Sequence, residues 1–284
     1  MNILRKHGVL LVILIAFGAV SALFFLKKVS FDDAELHQDV RGMWAVDDVP
    51  SLFGEYVVTG EAVYYHPAVY DEPAATATLI AETDPETFKA LQGDFAKDAS
   101  RIYFAGKVVD GAHPASFEII LSRPSNGISP AFSKDADSVF VNATKIQEAD
   151  PSSFQILDNE DYQLDQRFVY YKGVRLHEAT PTTFHVWNGT PYAANHVYAY
   201  MSGELIQGAD ASTFEALTNY ESYSLWAKDS HAVYWKGHAI PGADPSTFEL
   251  YWDAGLDYGK DTERVYYLGN ILDGADPEIF QPLE

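Results

Sequence analysis

The sequence predicts an all-β fold, namely a tandem array of about seven short β-meander units that each contain one helical turn, preceded by an N-terminal transmembrane helix. A block with fixed internal spacing recurs six times between residues 98 and 280. The 18 Tyr and 17 Phe among 284 residues favour strands over helices. A closed seven-bladed propeller is the alternative, although about 32 residues per unit is short for a typical blade of about 40–45.

The first 28 residues predict a membrane anchor. Residues 9–26 form an uncharged apolar run of 18 residues, which as a helix would extend about 27 Å. That length is close to the roughly 30 Å hydrocarbon core of a bilayer. A cleavable signal peptide is the alternative, but the apolar run continues past the small-residue pattern Ala19-Val20-Ser21, whereas the apolar part of a signal peptide ends before its cleavage site.

Two further regions follow the anchor. Residues 29–55 contain no repeat and are predicted to be a linker or cap, and residues 56–284 are predicted to form the repeat domain. An earlier, interrupted unit is recognisable around residues 59–88, with about ten extra residues near its middle.

Each block begins with Asp or Asn and ends 19 residues later with Phe. The first positions are Asp98, Asp135, Asp165, Asn195, Asp229 and Asp261, and the last are Phe117, Phe154, Phe184, Phe214, Phe248 and Phe280. The connector from each Phe to the next block varies from 11 to 18 residues. A fixed block with an elastic connector is typical of a stacked supersecondary unit.

Local patterns assign a structure to each part of the block. The opening Asp is predicted to begin a tight turn, and the β-branched and aromatic residues that follow are typical of a strand. A Gly eight residues after the Asp is predicted to form a second turn, with Ala143 as the exception. In the stretch Gly-Ala-Asp-Pro-Ser-Thr-Phe at residues 242–248, we expect Asp to cap a helical turn and Pro to occupy its first position.

These motifs resemble those of the DKNYY family. The resemblance rests on Lys-Asp-x-x-x-Val-Tyr-Tyr-x-Gly followed by Gly-Ala-Asp-Pro-x-Thr-Phe, covers residues 56–284, and is closest over residues 226–284. It implies a bacterial, membrane-anchored or exported repeat protein. It brings no catalytic residues, because no activity is established for the family.

Composition excludes several classes of function. The net charge of −22 disfavours nucleic acid as a partner, and the absence of cysteine excludes disulfides and thiol catalysis. The nine histidines show no metal-ligand spacing apart from a loose pair, His231 and His238. We therefore expect no metal, no cofactor and no catalytic residues.

One pattern indicates binding. The fifth residue after the opening Asp is always aromatic and is expected in the core, whereas the sixth lies on the opposite face of the strand. In four copies the sixth residue is also aromatic. If that face is open, the candidates for binding glycan or peptide are Phe104, Tyr171, Trp235 and Tyr267.

The sequence thus predicts a non-catalytic envelope protein whose repeat surface binds a protein or a cell-wall partner. We expect a single-pass protein of the bacterial inner membrane with its repeat domain in the periplasm. The alternative is an envelope glycan hydrolase or a carbohydrate-binding protein. A catalytic site would require residues that break the repeat, for which the candidates are the insertion at residues 67–77 and the long connector at residues 119–133.

Overall fold

A computed structural model describes residues 36–38, 44–46, 54–67, 77–121, 130–218, 223–251 and 257–281, with the backbone alone for the first two ranges. These residues form 29 strands and one 3-10 turn, Pro181–Thr183, so the predicted all-β class is confirmed. The predicted helix at residues 9–26 lies outside the described residues. Within the described part, no helical segment has the length and apolar character needed to span a membrane.

The strands form seven small antiparallel meanders and one separate hairpin. The hairpin pairs β1 (Leu36–Gln38) with β2 (Trp44–Val46). Sheet 1 contains β3 (Glu55–Val58), β4 (Val63–His66) and β5 (Thr78–Ile80). Sheet 2 contains β6 (Lys89–Ala90), β7 (Phe95–Lys97), β8 (Ile102–Phe104) and β9 (Lys107–Val108). Sheet 3 contains β10 (Glu118–Leu121), β11 (Phe132–Lys134), β12 (Val139–Val141) and β13 (Thr144–Lys145).

The remaining sheets repeat the four-stranded pattern, and none of the seven closes on itself. Sheet 4 contains β14 (Gln155–Ile156), β15 (Tyr162–Leu164), β16 (Val169–Tyr171) and β17 (Val174–Leu176). Sheet 5 contains β18 (His185–Val186), β19 (Tyr192–Ala194), β20 (Ala199–Met201) and β21 (Glu204–Leu205). Sheet 6 contains β22 (Glu215–Ala216), β23 (Trp226–Lys228), β24 (Val233–Trp235) and β25 (His238–Ala239). Sheet 7 contains β26 (Glu249–Leu250), β27 (Tyr258–Lys260), β28 (Val265–Tyr267) and β29 (Asn270–Ile271).

The sheets are offset from the sequence blocks. In sheet 4, Phe154 comes directly before the first strand, Asp165 lies between the second and third strands, and Gly173 lies between the third and fourth. The block that opens at Asp165 therefore ends at Phe184, where sheet 5 begins. Each block except the last links two sheets, because its Phe lies directly before the first strand of the next meander.

The predicted helical turn is replaced in most copies by a single reverse turn. After Asp244, for example, one bond runs from the Thr247 N–H to the Asp244 carbonyl at 3.3 Å. In the described residues only Pro181–Thr183 is helical, and it ends at once because Phe184 is already extended at φ −74° and ψ 133°. The chain enters its next strand at the Phe, which leaves no residues for a longer helical segment.

The core lies between neighbouring sheets. One cluster joins Tyr162 and Val169 of sheet 4 to Ala193 and Tyr200 of sheet 5. The ring of Phe184 sits between the two sheets, with its centroid 5.7 Å from that of Tyr162 and 6.0 Å from that of Tyr200. Phe88, Phe154, Phe214 and Phe248 bridge their neighbouring sheets in the same way. The Phe of each block except the last therefore fills the junction between two meanders, where burial of such a ring contributes about 1.5–3 kcal/mol.

Candidate functional site

A buried carboxylate organises each regular copy of the repeat. Asp165 is fully buried in the turn between β15 and β16. Its Oδ1 accepts hydrogen bonds from the N–H groups of Arg167 (2.7 Å) and Phe168 (2.8 Å). Its Oδ2 accepts one from the Tyr170 hydroxyl (2.8 Å) and one from the Asp150 N–H (3.0 Å). One carboxylate thus closes its own turn, holds the core tyrosine and fixes the Asp-Pro turn that precedes the sheet.

A hydroxyl makes a second link between the same two turns. Ser153 lies three residues after Asp150, and its Oγ accepts a hydrogen bond from the Gln166 N–H at 3.2 Å. In sheet 6, Thr213 Oγ1 accepts one from the Ser230 N–H at 3.0 Å. The carboxylate and the hydroxyl together hold the start and the end of the segment that contains the connector. These bonds fix the positions of the two ends of the connector, so the number of residues between those ends can vary from copy to copy.

The carboxylates of the regular copies remain ionised at neutral pH. Burial by itself favours the neutral acid, but the hydrogen bonds to the carboxylate outweigh it and lower the pKa of each group. These groups are Asp98, Asp165, Asp229 and Asp261. The partner tyrosines shift the other way: burial, and then the bond to Asp261, raise the pKa of Tyr266 to about 12. A low-pKa acceptor bonded to a high-pKa donor suits structural support and does not suit proton transfer near neutral pH.

The copy in sheet 5 departs from this arrangement. Asn195 keeps the turn, because its Oδ1 accepts hydrogen bonds from the Val197 N–H (2.8 Å) and the Tyr198 N–H (2.7 Å). Its Nδ2 is a donor, and it donates to the Glu178 carbonyl at 3.3 Å. The buried hydroxyl of Tyr200 consequently has no hydrogen-bond partner among the described residues.

The copy in sheet 3 departs differently and brings a histidine onto the carboxylate. His113 replaces the Asp of the Asp-Pro turn, and Phe140 replaces the core tyrosine. The His113 N–H donates to Asp135 Oδ2 at 2.8 Å. Its ring Nδ1 lies 3.2 Å from Asp135 Oδ2 and 3.7 Å from Asp137 Oδ2. Here His113 breaks the repeat and lies close to two carboxylates, Asp135 and Asp137.

The three side chains offer ligand atoms within 4.8 Å of one another, which is a geometry that can hold a metal ion. Imidazole and carboxylate are ligands that zinc accepts, and the exposed side chains of His113 and Asp137 leave the outer side open to water. The same contacts also suit a plain ion pair when His113 is protonated. The sequence patterns predict no metal ligands and do not identify this group. The pattern that could have identified it is the replacement of Asp by His113 in the same copy that has Phe140 in place of the core tyrosine.

Two of the four predicted binding residues lie between sheets. A side chain on Gly203 would come within 2.6 Å of the Tyr171 ring, and one on Gly269 would come within 2.4 Å of the Trp235 ring. Each Gly has a φ close to +80°, a conformation that other residues rarely adopt. The block therefore has Gly at this position because it allows both the turn and the close approach of the preceding sheet.

The other two differ from each other. Phe104 is partly buried and packs against the cluster that contains Phe140 of sheet 3. Tyr267 belongs to the last sheet and is 40 % exposed, with its ring 4.6 Å from that of Tyr258. The four candidates do not form one open stripe on the described surface. Their role in binding remains a prediction, and Tyr267 is the one with a largely accessible ring.

The segments proposed to break the repeat are described only in part. Residues 68–76 of the insertion and residues 122–129 of the long connector lie outside the described residues. The acidic loop at residues 158–161 is described and contacts the next sheet, since Asn159 Nδ2 donates to the Thr190 carbonyl at 2.8 Å.

Comparison with known proteins yields one match. The family model described as the DKNYY family matches residues 56–199, just over half of the 284 residues. The matched range does not include residues 226–284, for which the sequence motifs predict the closest resemblance. No curated protein and no solved structure matches the chain.

Proposed function

The chain belongs to the DKNYY family, and on that premise we propose that it is a non-catalytic, membrane-anchored protein of the bacterial envelope. In this proposal residues 9–26 anchor the chain in the inner membrane, and the repeat domain stands in the periplasm. The surface of the repeats binds a protein or a cell-wall partner.

The observation that carries the proposal is the structural use of the buried carboxylates. A glycan hydrolase needs one carboxyl group with a raised pKa beside a second, ionised carboxylate. Among the described residues, each carboxyl group with a shifted pKa has it lowered; these are Asp98, Asp150, Asp165, Asp210, Asp229, Asp244 and Asp261. The buried members of this set already accept hydrogen bonds from their own fold. Binding by the array is therefore better supported than hydrolysis.

Charge narrows the partner. The net charge of −22 disfavours anionic wall polymers and favours a protein that presents a basic surface. Such a complex would weaken as salt is added, because screening at physiological ionic strength acts over about 8 Å.

We further propose that the array is open. Leu79 of sheet 1 is 56 % exposed and Tyr267 of sheet 7 is 40 % exposed. In a closed propeller the first and last sheets would cover these side chains against each other, as inner sheets do. Their exposure supports the open array over the ring.

The test combines capture with an activity assay. The tagged full-length chain, purified from the envelope at low salt without cross-linking, is expected to retain a protein partner that is lost at high salt. Cross-linking in intact cells should capture the same partner. Incubation of the same protein with isolated cell-wall glycan is expected to release no reducing ends, with a known wall hydrolase as the positive control. Release of reducing ends would overturn the proposal. Absence of a protein partner both from the cross-linked chain and from the chain purified at low salt would also overturn it.

A separate experiment tests the location. A protease added to cells with a permeabilised outer membrane should digest the repeat domain while the inner membrane is intact. Protection of the domain until the inner membrane is broken would place it in the cytoplasm and contradict the predicted topology.

A further inference from the structure

The first sheet exposes an apolar row across its three strands. Val57 pairs with Tyr64, and Tyr64 pairs with Leu79, so the three side chains share one face. Val57 is 43 % exposed and Leu79 is 56 % exposed, while Tyr64 is partly buried. Leucine and valine side chains in a continuous row are costly to leave in water, at about 25 cal/mol per Å² of apolar area.

The inner sheets show what such a row does. Tyr103 and Val108 occupy the matching positions of sheet 2, where they also pair directly across strands. Both pack against sheet 1, in the cluster that contains Tyr65. The row Val57, Tyr64 and Leu79 is therefore the receiving half of the interface that joins neighbouring sheets.

The last sheet exposes the other half. Tyr267 of sheet 7 corresponds to Tyr65 of sheet 1, the sixth residue of its block. It is 40 % exposed, and Tyr258, which pairs with it on the neighbouring strand, lies on the same face. Elsewhere this position packs against the Gly turn of the following sheet, as Tyr171 does against Gly203.

Phe280 shows the same incompleteness. Its ring lies 5.7 Å from the rings of Tyr251 and Tyr258, on its own side of the junction. The equivalent Phe248 has Trp226 on that side at 5.1 Å and also Tyr266 of the following sheet at 5.8 Å. Phe280 lacks such a second partner among the described residues, and Tyr64 is the ring that holds the corresponding position on sheet 1.

We infer that sheet 7 of one chain docks on sheet 1 of a second copy of the same chain, head to tail. The contact repeats the packing that already joins each sheet to the next within the chain. The two faces do not cover each other within one chain, because Leu79 and Tyr267 are both exposed. The interface is heterologous, so each added copy leaves one face free at either end and the assembly extends or closes into a ring of chains.

The absence of cysteine from the sequence gives a direct test. Leu79→Cys and Tyr267→Cys are introduced into separate full-length chains with different tags, co-expressed in membranes and oxidised. A disulfide requires Cα atoms about 4.4–6.8 Å apart, so we expect a mixed cross-link between the two variants. Leu79→Cys with itself and Tyr267→Cys with itself should give none.

A matched control measures random collision. Val174 is 68 % exposed on an inner sheet, and Val174→Cys paired with either variant should remain un-cross-linked. Mixed cross-linking no greater than this control would overturn the inference. Cross-linking of Leu79→Cys with itself would overturn it in favour of a symmetric dimer.

A chain that carries both cysteine substitutions distinguishes a second copy from the same chain as the partner that covers the face of sheet 1. In a chain carrying both Leu79→Cys and Tyr267→Cys, a ladder of intermolecular species is expected on a non-reducing gel. A single fast-migrating species would show closure within one chain and overturn the inference. Failure of a thiol reagent to label Leu79→Cys in monomers would show that another part of the chain covers sheet 1, with the same consequence.

A second measurement avoids cysteine chemistry. Leu79→Arg and Tyr267→Arg each block one face with a positive charge, so each variant alone should sediment as a monomer in mild detergent. In an equimolar mixture, the Tyr267→Arg chain keeps an intact face on sheet 1 and the Leu79→Arg chain keeps an intact face on sheet 7. One chain of each kind can therefore pair, and the mixture should form a dimer and nothing larger. A mixture that stays monomeric while the unsubstituted chain also stays monomeric would contradict the inference.

Discussion

The copies of the repeat around Asp165 and around Asn195 differ by one side-chain atom at the centre of the turn. Both side chains accept two backbone hydrogen bonds through Oδ1 at 2.7–2.8 Å. The second oxygen of Asp165 accepts two further bonds, whereas the Nδ2 of Asn195 donates instead. Tyr170 is therefore hydrogen-bonded and Tyr200 is not.

The difference separates two roles of the opening residue. Forming the turn needs one acceptor atom, which Asp and Asn both supply. Accepting the hydroxyl of the core tyrosine needs a second acceptor atom, which Asp supplies and Asn does not. Asn195 still reaches the preceding turn, but as a donor, through the bond from its Nδ2 to the Glu178 carbonyl. The Tyr200 hydroxyl therefore lacks the bond that Tyr170 has, so the packing around Tyr200 should be weaker than the packing around Tyr170.

The largest effect is expected from Asp165→Ala. This change leaves the Tyr170 hydroxyl and three backbone N–H groups without their acceptor in a buried position, which should lower the free energy of unfolding by about 3–5 kcal/mol. Urea denaturation of the purified chain measures the loss. Asp165→Asn retains the turn and should cost less; an equal loss for both variants would show that the turn alone matters.

Lowering the pH should weaken the turn at Asp165 and leave the turn at Asn195 unchanged. The pKa of Asp165 is lowered in the fold, so its contribution is present above the unfolded value of about 3.9 and is lost as the pH falls through the folded value. A protonated Asp165 keeps its acceptor atoms in part, so the effect is smaller than that of Ala. Hydrogen exchange below about pH 4 should speed up at the Phe168 amide relative to the Tyr198 amide; parallel changes at both sites would contradict this assignment.

The tyrosines provide the next contrast. Tyr170→Phe removes a hydrogen bond to an ionised acceptor and should cost about 1.5–3 kcal/mol. Tyr200→Phe removes a buried hydroxyl without a partner among the described residues, so it should be neutral or stabilising. Thermal unfolding of the two variants side by side measures the difference, and similar losses would mean that Tyr200 has an acceptor in solution.

The smallest change in stability is expected when Asn195 is replaced by Asp, the residue that most copies have at this position. Asn195→Asp supplies the second acceptor to Tyr200 but loses the 3.3 Å bond from Nδ2 to the Glu178 carbonyl, so it should raise the free energy of unfolding by no more than about 0.5–1.5 kcal/mol. The gain should vanish in the double variant Asn195→Asp/Tyr200→Phe, which makes a thermodynamic cycle in urea the decisive measurement. A gain that survives the second substitution would have to come from the turn.

Much of this fold follows from spacing alone. The interval from the opening Asp to the Phe fixes one turn, one strand pair and one entry to the next sheet, because each of these needs a set number of residues. The offset between block and sheet was not predictable, since Phe184 ends a block in the sequence but starts a sheet in space. The reverse turn after Asp244 was mistaken for a helical turn because Asp-Pro begins both.

The site was less accessible to sequence reasoning. The sixth-position aromatics are binding candidates only if their face is open. Tyr171 and Trp235 lie against glycines of the next sheet, a contact that depends on how the sheets stack. His113 and Asp135 are 22 residues apart, and only the fold of the connector brings them together. A comparison of the six copies position by position does reveal that this copy is exceptional.

The paired bonds at Asp150 and Ser153 have a consequence for how such a protein acquires new features. They join the turn before the connector to the turn after it, so both ends of the connector are held in place. Residues added to the connector therefore do not disturb the neighbouring sheets. Doubling the length of such a loop costs only about 0.6 kcal/mol in closure entropy. Each connector is therefore a site that tolerates insertion. A foreign peptide or a recognition loop inserted after a block's Phe should leave the repeat domain folded.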